Sequence, residues 1–357
     1  MAPIIRVRRV AMMGAAMAVV AALAAGCADS GDPPSDGGAS GIGGDIVWAD
    51  YGGPTNESRQ AAYFDGFSDE TGVDVVSVPI EDAVFNGMLG GDAGDYDVFQ
   101  VAAADALANA ENLVELPEDI RGDLLPEGLR PYVVGGFYAG LAQGWLTETF
   151  PEGGPEDWAD FFDTETYPGK RAWPGAPGSF DASYEIALLA DGVAPEDLYP
   201  LDIERAEARL DAIRDELVFY QSYPEVQQLL TSGSASIAVT VTGQFTALRN
   251  AGADVTVQWN QAFITPNGFV IPAESGNPDA VVALAEWIDD PERQAAFVER
   301  TLYGPVNSEV FDHLPADVTE QLANSPDKEE LVLRWDEQWR ADHRQLLLDS
   351  YTAWLAG

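Results

Sequence analysis

The 357-residue chain has one cysteine, Cys27, and two histidines, His313 and His343. One thiol cannot form an intrachain disulfide. The scarcity of His and Cys leaves no HExxH or paired-CxxC zinc signature, so no metal and no cofactor is expected. Neither histidine accompanies a nucleophile elbow, which counts against a secreted hydrolase. Paired carboxylates can hydrolyse glycosides, but among 60 acidic residues a pair carries little information. Basic residues are also few, 18 Lys and Arg against 60 Asp and Glu, for a formal charge of −42. Neutralising phosphates needs a basic surface, so nucleic acid is excluded as a partner. Beyond the amino-terminal region no run approaches the about 20 apolar residues of a membrane span, and a body outside the bilayer is expected.

What is present begins with a processing signal. Arg6, Arg8 and Arg9 precede an uncharged run from Val10 to Ala25. Small residues then lead into Cys27 in Leu23-Ala24-Ala25-Gly26-Cys27, the pattern of a lipoprotein signal. Residues 1–26 are therefore predicted to be removed and Cys27 to carry lipid. Loss of the three arginines leaves 15 basic against 60 acidic residues, or −45. Residues 27–44 are rich in Gly, Ser, Pro and Asp and read as a tether. About 310 residues remain, enough for two lobes with separate cores.

Strand and helix patterns alternate along this body, which predicts α/β lobes. Ile46-Val47-Trp48 reads as a strand. A helix with Ala61, Ala62, Phe64 and Phe67 on one face follows, stopped by Gly72, and Val73 to Val78 form the next strand. Asp95 to Val101 and Val133 to Trp145 are further strands, the second leaving the first lobe. Helices are expected over Trp158–Phe162, Asp181–Ala190 and Ile203–Leu217. Strands are expected at Ser236–Val241, Asp254–Trp259 and Phe269–Pro272. The chain closes with helices bearing Trp335, Trp339 and Trp354, aromatics suited to packing. In open α/β sheets ligands sit beyond the carboxyl ends of strands, where Tyr51, Gly52 and Gly53 fall; the glycines serve a tight turn or a close approach to ligand.

The order of FSDETGVDVV (Phe67–Val76), DWADFF with YPGKRAW (Asp157–Trp173), IALLADGV (Ile186–Val193), FVIPAESGNPDA (Phe269–Ala280) and YGPVN (Tyr303–Asn307) resembles the spermidine/putrescine-type solute-binding proteins of ABC importers. The resemblance implies a type II periplasmic-binding-protein fold with two lobes joined by hinge crossings, each a mixed sheet flanked by helices. Residues 45–138 plus 263–310 would form lobe 1, and 139–262 plus the carboxyl-terminal helices of 311–357 lobe 2. It also implies a monomer that catalyses nothing. Its partners would be a small-molecule ligand held in the cleft and the ABC permease subunits that receive it, at the outer face of the cytoplasmic membrane or in the periplasm.

Tyr51 and Tyr303 match aromatic positions that hold polyamines in this family. Val241 and Thr265 replace tryptophans and Asn267 replaces an aspartate, so a zwitterionic or neutral ligand fits as well as a dication. Further candidates are Trp173 before the Pro/Gly loop, Asp181 and Glu185 on one helix face, and Trp259 at a strand end. Asp181 serves either as a helix cap or as a ligand group. Trp259 serves either hinge packing or the ligand. A ligand-sensing surface receptor of the same fold is the other reading.

Overall fold

The structure, a computed structural model, describes residues 44–357 apart from 81, 121 and 177–181. The signal, Cys27, nearly all of the tether and Asp181 therefore lie outside the described residues. Among the described residues ten strands form one hydrogen-bonded sheet. They are β1 (Ile46–Asp50), β2 (Val75–Pro79), β3 (Val98–Ala102), β4 (Val134–Leu146), β5 (Arg171–Pro174), β6 (Leu217–Tyr220), β7 (Ile237–Val241), β8 (Val255–Val270), β9 (Gly304–Pro305) and β10 (Leu333–Arg334). The first helices are α1 (Gly53–Arg59), α2 (Asp65–Thr71), α3 (Asp82–Leu89), α4 (Ala103–Ala108) and α5 (Trp158–Phe162). The middle of the chain adds α6 (Ser183–Ala190), α7 (Ile203–Asp211), α8 (Glu225–Thr231) and α9 (Thr242–Asn250). The last are α10 (Pro278–Ile288), α11 (Pro291–Thr301), α12 (Ala316–Thr319), α13 (Glu337–Asp342) and α14 (Arg344–Ala356).

The fold is a mixed α/β architecture with two lobes. The sheet order β2-β1-β3-β8-β4-β7-β5-β6 explains it. β1, β2 and β3 run parallel, as do β5, β6 and β7, and each set flanks the long antiparallel pair β4–β8. Those two strands cross from one lobe to the other. Lobe 1 packs Trp48, Phe64, Phe67 and Phe269 with α10. Lobe 2 packs Trp158, Phe161, Phe162 and Trp173 with α6 and α14.

The sequence pattern differs from the structure at three places. The strands expected at Asp254–Trp259 and Phe269–Pro272 are the two ends of one 16-residue strand, β8. It bulges between Gln258 and Phe263, which pair with Gln143 and Leu141, and Gln261 there takes a φ of 60°. The helix expected over Ile203–Leu217 ends at Asp211, and Leu217 instead opens β6. Residues 311–357, expected together in lobe 2, divide between the lobes: Val310, Phe311, Val318 and Leu322 pack on Ala295 and Val298 of α11, which lies with lobe 1. From Leu333 onward the chain enters the lobe 2 core, where Trp335, Tyr351 and Trp354 are buried.

Candidate functional site

Strand direction locates the crevice. β3 ends at Ala102, level with Asn267 of β8 and, through it, with Phe137 of β4. β7 runs the opposite way and ends at Val241, level with Leu141 of β4. The carboxyl ends of the two parallel sets therefore face each other along the β4 stretch from Phe137 to Leu141, about 13 Å at ~3.3 Å per residue. Loops and helix amino termini converge at such ends, which is where open α/β sheets bind ligands.

From lobe 1 the crevice receives the loop after β1. Tyr51 is 66% exposed, the most exposed large apolar side chain among the described residues, and Gly52 has a φ of 69° that favours glycine. Asp50, buried behind them, holds the loop: its carboxylate accepts from the Gly52 amide at 2.7 Å, from Asn56 at 2.9 Å and from Arg59 at 2.8 Å. The Arg59 guanidinium lies over the Phe269 ring, 4.4 Å from its centroid. Burial lowers its pKa, and Asp50 opposes that shift. Gly53 begins α1. Asn267 is buried and accepts from Gln100 Nε2 at 3.1 Å.

Tyr303 spans the two lobes. Its ring stacks on Phe137 with centroids 4.6 Å apart, and a Cβ added at Gly243 would lie 3.3 Å from its hydroxyl. Gly243 belongs to the first turn of α9, whose amino terminus has no side-chain cap. Beside this contact, Gly140 of β4 leaves room for Thr242: a Cβ there would sit 2.9 Å from the Thr242 methyl and 3.0 Å from Ala323. Only glycine lets the segments meet at the crossing.

Four candidates read from the sequence thus fall at the crevice: Tyr51, Gly52, Asn267 and Tyr303, with Gly53 in the adjoining helix start. Trp173 and Glu185 do not. Trp173 is fully buried between Phe161 and Phe162, and its Nε1 donates to the Tyr351 hydroxyl at 2.9 Å. Glu185 is buried in an ion pair with Arg340 and accepts from the Tyr199 hydroxyl at 2.9 Å. Both are corrected from ligand groups to core groups of lobe 2, because their polar atoms already have internal partners. Trp259 lies in the β8 bulge with the Lys328 ammonium 5.1 Å from its ring centroid. Val241 packs at the edge of the lobe 2 core, and Thr265 donates to Glu337 at 2.7 Å. The sequence reading missed Thr242, Gly243 and Gln100. A Thr-Gly step directly after a buried strand and before a helix was the available signal for the first two.

Glu337 is a titrating group near the crossing. Burial pushes its carboxyl up to about 7; Glu185 and Asp336 add to this, while the Thr265 hydrogen bond and Arg340 oppose it. The folded protein therefore holds this proton more tightly than the unfolded chain, whose Glu titrates near about 4.3. Its contribution to stability is fully present below that value and is lost as pH rises through about 7. Glu337→Gln should remove this loss. Melting curves of both proteins at about pH 5 and pH 8 check it, and the variant's advantage should appear only at the higher pH.

Among the described residues no group of three or more His, Cys, Asp or Glu could hold a metal, and no helix is long and apolar enough to cross a membrane. The profile of the bacterial extracellular solute-binding proteins matches residues 62–327. The chain belongs to this family. The solute-binding protein is 27% identical over 318 residues to the gamma-aminobutyric acid-binding protein of Pseudomonas aeruginosa, covering 86% of this chain and 89% of that one. It also superimposes on a solved GABA receptor with a TM-score of 0.78 and 28% identity, covering 87% of this chain and 97% of that one. The binding protein AgtB of A. tumefaciens R10, solved with agropinic acid, gives a TM-score of 0.72 at 26% identity, covering 88% and 99%. These relatives are ABC-transporter solute-binding proteins and not enzymes, and the present chain is a substrate-binding protein of that kind.

Proposed function

We propose that the protein captures one compact cationic or zwitterionic solute between its lobes, with an ω-amino acid such as γ-aminobutyrate favoured over a polyamine, and passes it to an ABC permease. The observation that carries this reading is the pair of opposed strand ends, offset by about 13 Å along β4 and bridged by Tyr303 reaching Gly243. The rings of Tyr51 and Tyr303 would attract an ammonium through their quadrupoles. The uncapped amides of α9 beside the Tyr303 hydroxyl would favour a carboxylate. Asn267, where polyamine binders of the resembling family carry Asp, removes one anionic partner for a dication. The binding protein of P. aeruginosa and the solved GABA receptor carry the same ligand in their names. In this reading Cys27 carries the lipid, residues 27–44 tether the body at the outer face of the membrane, and the protein works as a monomer.

Isothermal titration of γ-aminobutyrate, putrescine and glycine betaine tests the proposal. One-to-one binding of γ-aminobutyrate is expected, with Tyr51→Ala and Tyr303→Ala each weakening it about tenfold, near 1.4 kcal/mol. Tight binding of putrescine alone would restore the polyamine reading. Unchanged affinity in both variants would remove these residues from the site.

A further inference from the structure

The end of the chain makes contacts that ligand capture does not require. β10 pairs with Phe263 and Ile264 of β8, on the same edge that β3 occupies further along. The chain leaving β10 therefore meets the carboxyl end of β3, and α13 packs against α4 of lobe 1. The same segment is fastened to lobe 2. Arg340 pairs with Glu185, Trp339 packs on Tyr199 with centroids 5.3 Å apart, and the Trp354 Nε1 donates to Asp211 at 2.8 Å. One ion pair joins this lobe 2 assembly to α4: Arg344 Nε lies 2.7 Å from the Asp105 carboxylate. The partners differ in setting. Asp105 is buried in the first turn of α4, directly after the strand end that faces the crevice, whereas the Arg344 side chain is 45% exposed.

We propose that the segment from Leu333 to Ala356 is an interlobe clasp, and that Arg344 gripping Asp105 positions the β3–α4 corner and sets how readily the lobes part. The inference rests on the solute-binding reading, in which opening releases the ligand. Neither residue touches ligand in this scheme; both act as positioning residues. The asymmetry fits a contact made to be broken. On opening, Arg344 moves into water at small cost. Asp105 is then exposed where its carboxylate is solvated, so the ion pair is exchanged for hydration and no buried charge is left unpaired.

Because the chain has no cysteine besides Cys27, two labels can be placed on the full chain carrying Cys27→Ser, at Glu70→Cys and Glu196→Cys, which are exposed on lobe 1 and lobe 2. The distance between them, read by single-molecule fluorescence without ligand, is expected to shift toward longer values in Arg344→Ala and to return in Arg344→Lys. The dissociation rate of γ-aminobutyrate should rise about tenfold, its association rate should change little, and the melting temperature should hold. Asp105→Asn should shift the distance in the same direction, guarding against a peculiarity of one variant. A ligand-free distance unchanged in Arg344→Ala and in Asp105→Asn would overturn the clasp. If γ-aminobutyrate fails to bind the wild type while the variants still open, the clasp stands and the ligand assignment falls.

Discussion

Trp173→Ala is expected to lower stability by about 3–5 kcal/mol, because it empties an aromatic core instead of altering a binding wall. The indole is fully buried, its ring lies 5.7 Å from Phe161 and 6.0 Å from Phe162, and its Nε1 donates to Tyr351. Truncation leaves a cavity and a Tyr351 hydroxyl without that donor. The hydroxyl keeps its bond to the Pro174 carbonyl at 2.8 Å, so most of the loss comes from packing. Urea denaturation should show the midpoint falling while ligand affinity below the transition stays near the wild-type value. A variant that unfolds at the wild-type midpoint but fails to bind would place Trp173 at the ligand after all.

Glu185→Ala should be comparably severe for a different reason. It removes the buried carboxylate that pairs with the Arg340 guanidinium, and breaking a buried pair from one side costs about 3–5 kcal/mol. Arg340 also lies over Trp335, 4.6 Å from its centroid, so it cannot turn to water without unpacking that ring. Replacing both partners, as in Glu185→Met with Arg340→Met, should recover much of the loss, since two well-packed apolar groups leave no unpaired charge. The coupling energy of the double-mutant cycle reads this directly. Additive effects would show that the two side chains do not depend on each other.

These two residues also mark where sequence reading stops. The strands β1, β3, β4 and β7 were legible because buried runs such as Ile46-Val47-Trp48 are apolar and bounded by Gly or Pro. β8 was not, because its middle carries Gln258, Asn260, Gln261, Thr265 and Asn267, polar side chains that a strand crossing between two bodies tolerates. β6 was hidden behind the amphipathic helix that precedes it. Trp173 stands beside a Pro/Gly loop and so resembles a loop anchor. Its hydrogen-bond partner, Tyr351, is 178 positions away, and no local pattern reveals that the pair closes a core. Tyr303 was found through resemblance, but its approach to Gly243 depends on β9 and β7 lying end to end along β4, a fact of topology alone.

The central claim is that a small charged solute draws two halves of one sheet together. Small-angle scattering of the full chain carrying Cys27→Ser, recorded with and without saturating γ-aminobutyrate, tests it most directly. The account predicts a smaller radius of gyration with the ligand, reversed on dialysis. An unchanged radius with γ-aminobutyrate bound at full occupancy would contradict it.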